Sequence, residues 1–470
     1  MNELEYKVKQ LIGWIRGLFK SPNIYTPTEL IYRQRVLRLL DYYKGNQLSY
    51  LSQEMNKQFA DPTMLKMQMS ISNIVRFITD SLAGTFKHGL LVESANVNDQ
   101  PIWDDMLDHV QMDAFVKSLE QNLFLCKTCF VKVGYYTDDA KIGLSLITPE
   151  YVNVIQNEHN SNKIDAIVYP RFIKRLDANL MPIGEFNYWT NSDYRIVNEN
   201  QITLPNKENP ENVNPYGIIP VVTFREKVPT DSDFFQFPGE ELVVSQDALN
   251  IKLTSLNQLI KYQSFAQPVL TNPAVDMKGN VTVAIDPSKP IVIVDSKESP
   301  GKFEYITPNA PISAVQDAID KEYSRIFSFF GLNPSDFVRT GDAKSAEAMR
   351  EGSARVEEYR ANIRQVFIPQ IIELLNTMRI VWNVHNPDKQ LSADDVVVKI
   401  QQSRVSYQSI DDQIKDIDWR LNNNFMTNAD ALLLLEDDLT KDEAIALYER
   451  NKEINSKTNV TDTGINQTGI

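Results

Sequence analysis

A chain of 470 residues with 42% hydrophobic and 23% charged residues has a globular composition and enough length for two or more domains. Its 48 Lys and Arg against 62 Asp and Glu leave a net charge of −14, the opposite of the basic surface that tight, broad binding of nucleic acid requires. No apolar run approaches the roughly 20 residues of a membrane span, and the two cysteines are too few for a disulfide framework and suit a reducing cytoplasm.

Residues 1–20 read as an amphipathic helix and not a signal, because the apolar run from Leu11 to Phe19 is interrupted by Arg16 and Gly17. Apolar residues at helical spacing predict helices over 28–43 and 71–86, the second carrying Ile71, Ile74, Val75, Phe77, Ile78, Leu82 and Phe86. Between them Gly45 suits a helix C-terminal cap. A further helix is expected over 101–125. Strands follow at 129–135, 144–148, 152–156 and 164–169, continued by 185–190 and 194–197. Runs of strands and runs of helices, without alternation, define an α+β class.

The Asn-, Pro- and Glu-rich stretch 199–215 reads as a surface loop ahead of an apolar strand at 218–224. Residues 238–264 form a helix with Leu242, Leu249, Leu253, Leu256 and Ile260 near heptad spacing, a stripe that needs a partner helix. Seven prolines and three β-rich runs (281–285, 291–294 and 303–306) make 265–311 a small β module. Ile312, Val315, Ile319, Tyr323, Ile326 and Phe330 recur at three- and four-residue steps, the mark of a second helix over 312–330. A breaker at Gly331-Leu332-Asn333-Pro334 and a polar stretch, Arg339-Thr340-Gly341-Asp342, separate it from a long helix over 345–384, which Ser345 is placed to cap. Acids and bases balance over 342–364, so nothing there grips an anion strongly. A strand at 396–400 precedes short helices over 406–450, with Met426 and Asp430 at a break. This last stretch carries eleven acids against four bases, half the net charge of the chain. Residues 454–470, rich in Asn, Thr and Gly, are expected to be disordered, and no internal repeat is visible.

Enzyme chemistry has few footholds. Cys126-Lys127-Thr128-Cys129 has the spacing of a metal or redox pair, but there is no second pair and the four histidines are scattered. Its apolar neighbours Phe124, Leu125, Phe130 and Val131 favour a buried helix-to-strand turn. No phosphate-cradling GxxxxGK loop, HExxH helix or GxSxG elbow occurs. The acid pairs Asp104-Asp105, Asp411-Asp412 and Asp437-Asp438 read as solvated faces more readily than as a magnesium site. Tyr42, Tyr43 and Tyr50 beside Lys44 could stack on nucleic acid, but a helix end usually packs its tyrosines. Arg339 and Lys344 either touch phosphates or keep their loop soluble, and composition does not choose between the two.

The order of these parts resembles the portal proteins of tailed double-stranded DNA bacteriophages over nearly the whole chain. Asp41-Tyr42-Tyr43-Lys44-Gly45-Asn46 is similar to the family's early YYxG segment, and Asn73-Ile74-Val75 to its N-x-V helix start. Ile147-Thr148-Pro149-Glu150-Tyr151-Val152 resembles the I-x-P-x-x-V turn, and Gly217-Ile218-Ile219-Pro220-Val221-Val222 the G-x-x-P-V-V strand. Gly331-Leu332-Asn333-Pro334 and Ser345-Ala346-Glu347-Ala348-Met349-Arg350 resemble the G-x-P and S-G-x-A-x-R segments that bracket a tunnel loop, with Ala346 in place of the glycine. At Cys126–Cys129 the chain departs from the small or glycine-containing turn usual in the family.

The resemblance implies N-terminal helices and a wing over 1–238, completed by a long kinked helix and return strand over 345–405. It implies a two-helix stem (239–264 and 312–330), a β-containing clip at 265–311, a tunnel loop at 331–344, a helical crown at 406–453 and a tail at 454–470. By resemblance, the chain assembles in the host cytoplasm as a dodecameric ring at one capsid vertex of the virion, with major capsid and scaffold proteins. Double-stranded DNA then passes without sequence preference, the terminase large subunit docks during packaging, and head–tail adaptor proteins follow. The candidate channel loop is Arg339, Thr340, Gly341, Asp342 and Lys344, and the candidate ring interface is the Leu242 to Ile260 stripe. No catalytic residue, metal, cofactor or membrane is implied. Acidity and a charge-balanced loop suit a conduit, since strong phosphate neutralisation would hold DNA in place. The competing readings are a metal-dependent nuclease or other DNA-processing component that uses the acid pairs, and a cytoplasmic scaffold whose helices merely oligomerise.

Overall fold

The computed structural model describes residues 27–58, 68–86, 89–171, 184–198, 202–228, 234–236, 238–263, 267–271, 302–306, 312–333, 346–393, 396–400, 410–435 and 443–452. In chain order the elements are α1 (Pro27–Lys44), α2 (Leu48–Gln58), α3 (Ile74–Leu82), β1 (Leu90–Ser94), α4 (Gln100–His109), α5 (Met112–Cys126), β2 (Thr128–Tyr136) and β3 (Lys141–Ile147). A single 3₁₀ turn, Pro149–Tyr151, leads to β4 (Asn153–Gln156), β5 (Ile164–Pro170), β6 (Glu185–Thr190), β7 (Tyr194–Asn198), β8 (Thr203–Leu204) and β9 (Val221–Arg225). Then come α6 (Glu241–Gln263), β10 (Gln267–Thr271), β11 (Lys302–Ile306), α7 (Ile312–Phe329), α8 (Ala346–His385), β12 (Val396–Ile400), α9 (Ile410–Asn422) and α10 (Asn428–Leu435). The pairings among these strands are antiparallel, in sheets ordered β3-β2-β9, β4-β5-β6-β7-β8, β1-β12 and β10-β11, which makes the fold α+β. The expected strands at 281–285 and 291–294, the first helix at 1–20 and the tail at 454–470 lie outside the described residues.

Chain ends are set by local chemistry. Gly45, with φ +86°, closes α1 by a Schellman pattern in which Asn46 N reaches Asp41 O at 2.8 Å and Gly45 N reaches Tyr42 O at 3.0 Å. The one helix expected over 101–125 is two, because Gln111 adopts left-handed φ of 50° and turns the chain between α4 and α5. At its other end α5 stops at Cys126, where Lys127 is again left-handed and Tyr32 Oη donates to the Cys126 carbonyl at 2.8 Å. α2, β1, β8 and β10 were not anticipated by periodicity, since short half-buried elements carry few repeats.

One contiguous core joins α1, α3, α5, β2, β9, α6, α7 and α8. Its spine is α8, whose Ile363, Phe367, Ile371, Leu374, Leu375, Met378 and Val381 are all 5% exposed or less. The same helix ties down its neighbours with polar side chains. Gln370 pairs with the Arg225 backbone in both directions, at 2.9 and 3.1 Å, and Arg360 donates to Ser81 O at 2.9 Å near the end of α3. Gly84 leaves room for that guanidinium, because a Cβ there would meet Arg360 Nη2 at 2.6 Å.

A run of side-chain-to-backbone bonds joins α6 to the irregular segment that precedes α3. Thr254 Oγ1 accepts from Ser70 N at 3.0 Å, Asn250 Oδ1 from Ser72 N at 3.0 Å, and Gln246 Oε1 from Ile74 N at 2.8 Å and Val75 N at 3.2 Å. Gln246 Nε2 returns a bond to the Ser72 carbonyl, and Asn250 Nδ2 donates to Gln47 at 2.8 Å. Four residues of helix rise about 6 Å and two residues of extended chain about 6.6 Å, so side chains at every fourth helical position can meet every second backbone group. The expected helix 71–86 therefore runs only from Ile74 to Leu82: Ser70 and Ser72 give their backbone to α6, and Asn73 caps α3 by accepting from Arg76 N at 3.1 Å.

Arg33 organises a second buried junction. Only 2% exposed, it donates to the carbonyls of Pro149, Glu150 and Val152 at 3.3, 2.8 and 2.7 Å, and so grips the Ile147–Val152 turn from α1. The Glu150 side chain is 2% exposed; Thr148 Oγ1 donates to its Oε1 at 2.7 Å, while Oε2 meets no donor among the described residues. Burial pushes this carboxyl up to about 7 from 4.5, against the opposing pull of Thr148 and Arg33.

Two predictions follow from these junctions. Gln246→Ala should lower stability by about 1–3 kcal/mol, since it strands the Ile74 and Val75 amides without acceptors; a lower midpoint in thermal unfolding checks this. For Glu150, the raised folded value means that the proton is held in the fold and released by the unfolded chain. Its contribution is intact below 4.5 and lost as pH rises through about 7. Glu150→Gln should accordingly stabilise the protein at about pH 8 and give no gain at about pH 4.5, as read by denaturant unfolding at the two pH values.

Candidate functional site: the α6 and α7 helices and the loop after them

α6 has a 23-residue length and two unlike faces. Its inward face is amide-rich, with Gln246 and Thr254 fully buried and Asn250 1% exposed. Leu242 and Leu249, at 6% and 0% exposed, lie in the core of the same chain, and Leu253 and Leu256 are half-buried against that core. Of the Leu242 to Ile260 stripe, Ile260 alone is widely open, at 42%, and Val244, outside the stripe, is 58% exposed. The rotation of α6 about its axis is thus set by the amides, which turn most of the leucines inward.

α1 holds the flank of α6. Arg38 Nη2 lies 2.5 Å from Asp247, its Cζ lies over the rings of Tyr42 and Tyr50 at 5.3 and 5.2 Å, and Tyr42 Oη donates to the same aspartate. Burial raises the Asp247 carboxyl, and burial together with the Asp247 bond raises the Tyr42 hydroxyl. Tyr50 donates to Asp41 at 2.9 Å and Tyr43 to Asp80 at 2.8 Å. All three tyrosines are therefore packing and bonding residues of α1 and α2, Tyr42 and Tyr50 buried and Tyr43 half-buried.

α7 buries Ile319, Tyr323, Ile326 and Phe327 and packs on α6. Lys252 of α6 reaches Glu322 at 3.0 Å, and Arg325 reaches the same carboxylate at 2.5 Å, so Arg325 and then Lys252 hold Glu322 below the usual carboxylate range. Tyr323 Oη donates to Ser72 Oγ at 2.9 Å, which brings the segment bound by α6 into contact with α7 as well. The helix ends where the breaker was expected: Gly331 has φ +74°, with Leu332 N on Phe327 O at 2.8 Å and Gly331 N on Ser328 O at 3.1 Å. Phe329, the last residue of α7, is 64% exposed. Beyond the strands β10 and β11, which join as a two-stranded pair between the helices, the 265–311 module lies outside the described residues. So do Arg339, Thr340, Gly341, Asp342 and Lys344, and the cap at Ser345; α8 resumes at Ala346 and carries Pro369 in its interior, where one backbone bond is lost.

The remaining chemical candidates are dispersed. Cys126 and Cys129 are free, fully buried and placed at the α5-to-β2 turn, and burial followed by the neighbouring thiol pushes Cys126 well above its ordinary value. A thiol held protonated in this way is a packing residue, not a nucleophile. Asp104 receives Gln100 at 2.8 Å and Asp105 receives Lys141 at 3.4 Å. Among the described residues no three His, Cys, Asp or Glu are grouped to hold a metal, and no helix is long and apolar enough to cross a membrane. What the sequence analysis missed is the Gln246, Asn250 and Thr254 set. Its signal was present as a four-residue repeat of uncharged polar side chains inside a helix.

A helix pair joined by a β-stranded insertion, followed by a loop and a long helix, is the arrangement expected of a portal. The sequence matches the family described as phage portal protein, SPP1 Gp6-like, over residues 26–436, and the chain belongs to that family. This is a family of structural virion components of the capsid portal vertex. The fold is similar to the neck of an empty GTA particle, at 12% identity and TM-score 0.40 over 80% of this chain and 90% of that one. It is also similar to a chain from the virion of a native gene transfer agent particle, at 12% identity and TM-score 0.41 over 90% and 98% of the two chains. No curated protein matches the sequence.

The two faces of α6 separate in their expected responses. Leu249→Ala should cost about 2–5 kcal/mol, because it opens a cavity in a closed core. Ile260→Ser should shift unfolding of the isolated chain by no more than about 0.5 kcal/mol. Thermal melts of the two variants beside the parent protein distinguish them.

Proposed function

We infer that this chain is the repeating subunit of a dodecameric ring through which double-stranded DNA is packaged and ejected. The carrying observation is the portal-family match over residues 26–436, most of the chain, with α6, α7 and α8 in the order that family requires. In this reading α6 and α7 are the stem, the β10 and β11 module is the clip, and 331–344 is the tunnel loop. The body built on α1, α3, β2 and α8 is the wing, and α9 onward is the crown. The ring assembles with scaffold and major capsid protein, the clip receives the terminase large subunit, and head–tail adaptors take that place afterwards. A heterologous ring needs two different patches per subunit, and the outward residues of the stem, Val244, Ile260 and Phe329, supply apolar surface for one of them.

Support for a conduit also comes from charge. The net charge of −14 and the balance of acids and bases over 342–364 keep DNA from being held by counterion release. Arg339 and Lys344 then act on moving DNA from a loop without anchoring it. No specific observation favours the nuclease reading: the described acid pair at Asp104 and Asp105 is split between Gln100 and Lys141.

Electron microscopy of the purified protein tests the ring, with class averages expected to show twelvefold symmetry and a central hole wide enough for a duplex. Compact particles without a hole, persisting when scaffold is added, would overturn it. For the loop, replacing both Arg339 and Lys344 by Ala should leave ring assembly intact and change the genome content or DNA retention of virions. Unchanged DNA content would remove the loop from the mechanism.

A further inference from the structure

The two cysteines of the chain and the carboxyl of Glu150 meet at one buried joint. Cys126 ends α5 and Cys129 lies in β2, where the next residue, Phe130, pairs with Ile147 at the head of the Ile147–Val152 turn. α1 bonds to both sides of this joint. Tyr32 Oη donates to the Cys126 carbonyl at 2.8 Å, and its neighbour Arg33 donates to the carbonyls of Pro149, Glu150 and Val152. Both thiols are fully buried, and the conduit function uses none of these groups.

The Glu150 carboxyl has one donor, Thr148 Oγ1 on Oε1 at 2.7 Å, and Oε2 meets none among the described residues. A carboxylate offers about four lone-pair sites, so ionising it in place would leave a buried charge largely unsatisfied. That charge can be satisfied in two ways. The Arg33 guanidinium can turn to it and give up carbonyls that it now holds, or the turn can carry the carboxylate out to water. Both undo the grip of α1 on the turn. The groups that face Glu150 are Tyr32, Arg33 and the exposed Lys44 of α1, Cys126 at the end of α5, and Tyr151 of its own turn, with Cys129 facing Tyr32 and Asp41 facing Tyr151. Burial raises the Tyr32 hydroxyl and the Cys126 thiol and pushes Tyr151 up to about 12, so these three stay neutral where Glu150, at about 7, changes charge.

We propose that the Ile147–Val152 turn is a proton-operated latch, closed on α1 while Glu150 carries its proton and locally open, with Cys126 and Cys129 uncovered, once that proton leaves. The closed form holds the proton more tightly than the open one, so closure weakens as pH rises through about 7. The opening is local, because the buried residues of α8 and the side-chain bonds of α6 hold the rest of the core without Glu150. The latch is a property of the single chain and does not depend on the ring.

Because the chain has no other cysteine, thiol labelling reads this joint alone. The full chain and its Glu150→Gln variant are alkylated with iodoacetamide at about pH 6 and about pH 8, without urea and with about 1 M urea. Dividing the parent rate by the variant rate at each pH cancels the ionisation of the attacking thiol. That ratio is expected to rise about tenfold from the lower pH to the higher, the value for a carboxyl carried from 4.5 to about 7 by closure, and the labelling rate should change less than about twofold with urea. Hydrogen exchange of the parent chain gives a second reading that needs no variant. Protection of the Tyr151 and Val152 amides should fall about tenfold between the same pH values while that of Leu374 and Leu375 in α8 holds. A ratio independent of pH, an equal loss of protection in α8, or labelling that rises about fivefold or more with urea, as global unfolding requires, would each overturn the proposal.

Discussion

Backbone amides taken out of water must find acceptors, and among the described residues no strand pairs with the stretch from Ser70 to Val75 to supply them. Gln246, Asn250 and Thr254 of α6 take that part. Because their spacing matches the helical step to the extended-chain step, the fit fixes the start of α3, the rotation of α6 and, through Ser72 and Tyr323, the position of α7. An apolar contact of equal area would tolerate a sliding register. A buried polar one does not, since each displaced rung leaves an unpaired group at a cost of about 1–3 kcal/mol. Which side of α6 remains open for another molecule is a consequence of this choice.

The segments that resemble portal motifs prove to be joints, not reactive groups. Tyr42 of the YYxG segment bonds Asp247, and its Gly45 ends α1. Asn73 caps α3, the Ile147–Val152 turn is held by Arg33, and Gly331 ends α7 beside Arg355, whose Cβ a methyl group there would meet at 3.1 Å. A family of structural virion components needs its helices held at fixed angles, and these residues do so with hydrogen bonds whose geometry admits few alternatives. The same emphasis explains the buried thiols and the buried Glu150, which sit at turns between elements.

Much of the architecture was legible in advance. Strands at 185–190 and 396–400 fall where alternation and β-branched residues put them, and the helix expected over 312–330 is observed as Ile312–Phe329. Long helices repeat their apolar spacing many times, which makes α7 and α8 readable. The division of 101–125 at Gln111 escaped, because a left-handed residue other than glycine leaves no mark in periodicity. α2 and β1 escaped because each is short and half-exposed. Of the candidate site residues, the channel-loop residues Arg339 to Lys344 lie outside the described residues, and the leucine stripe of α6 gave the right helix with an undecided facing.

That facing marks the division between the two levels of information. Sequence by itself determined the α+β class, the order of elements, the acidic balance and membership of the portal family, because these depend on local propensity, spacing and composition. Tertiary structure alone decided that Leu242 and Leu249 are core and that Gln246 and Asn250 are acceptors for distant amides. Burial and hydrogen-bond pairing are properties of residues more than a hundred positions apart in the chain, and no local pattern can specify which side of a helix such partners will claim.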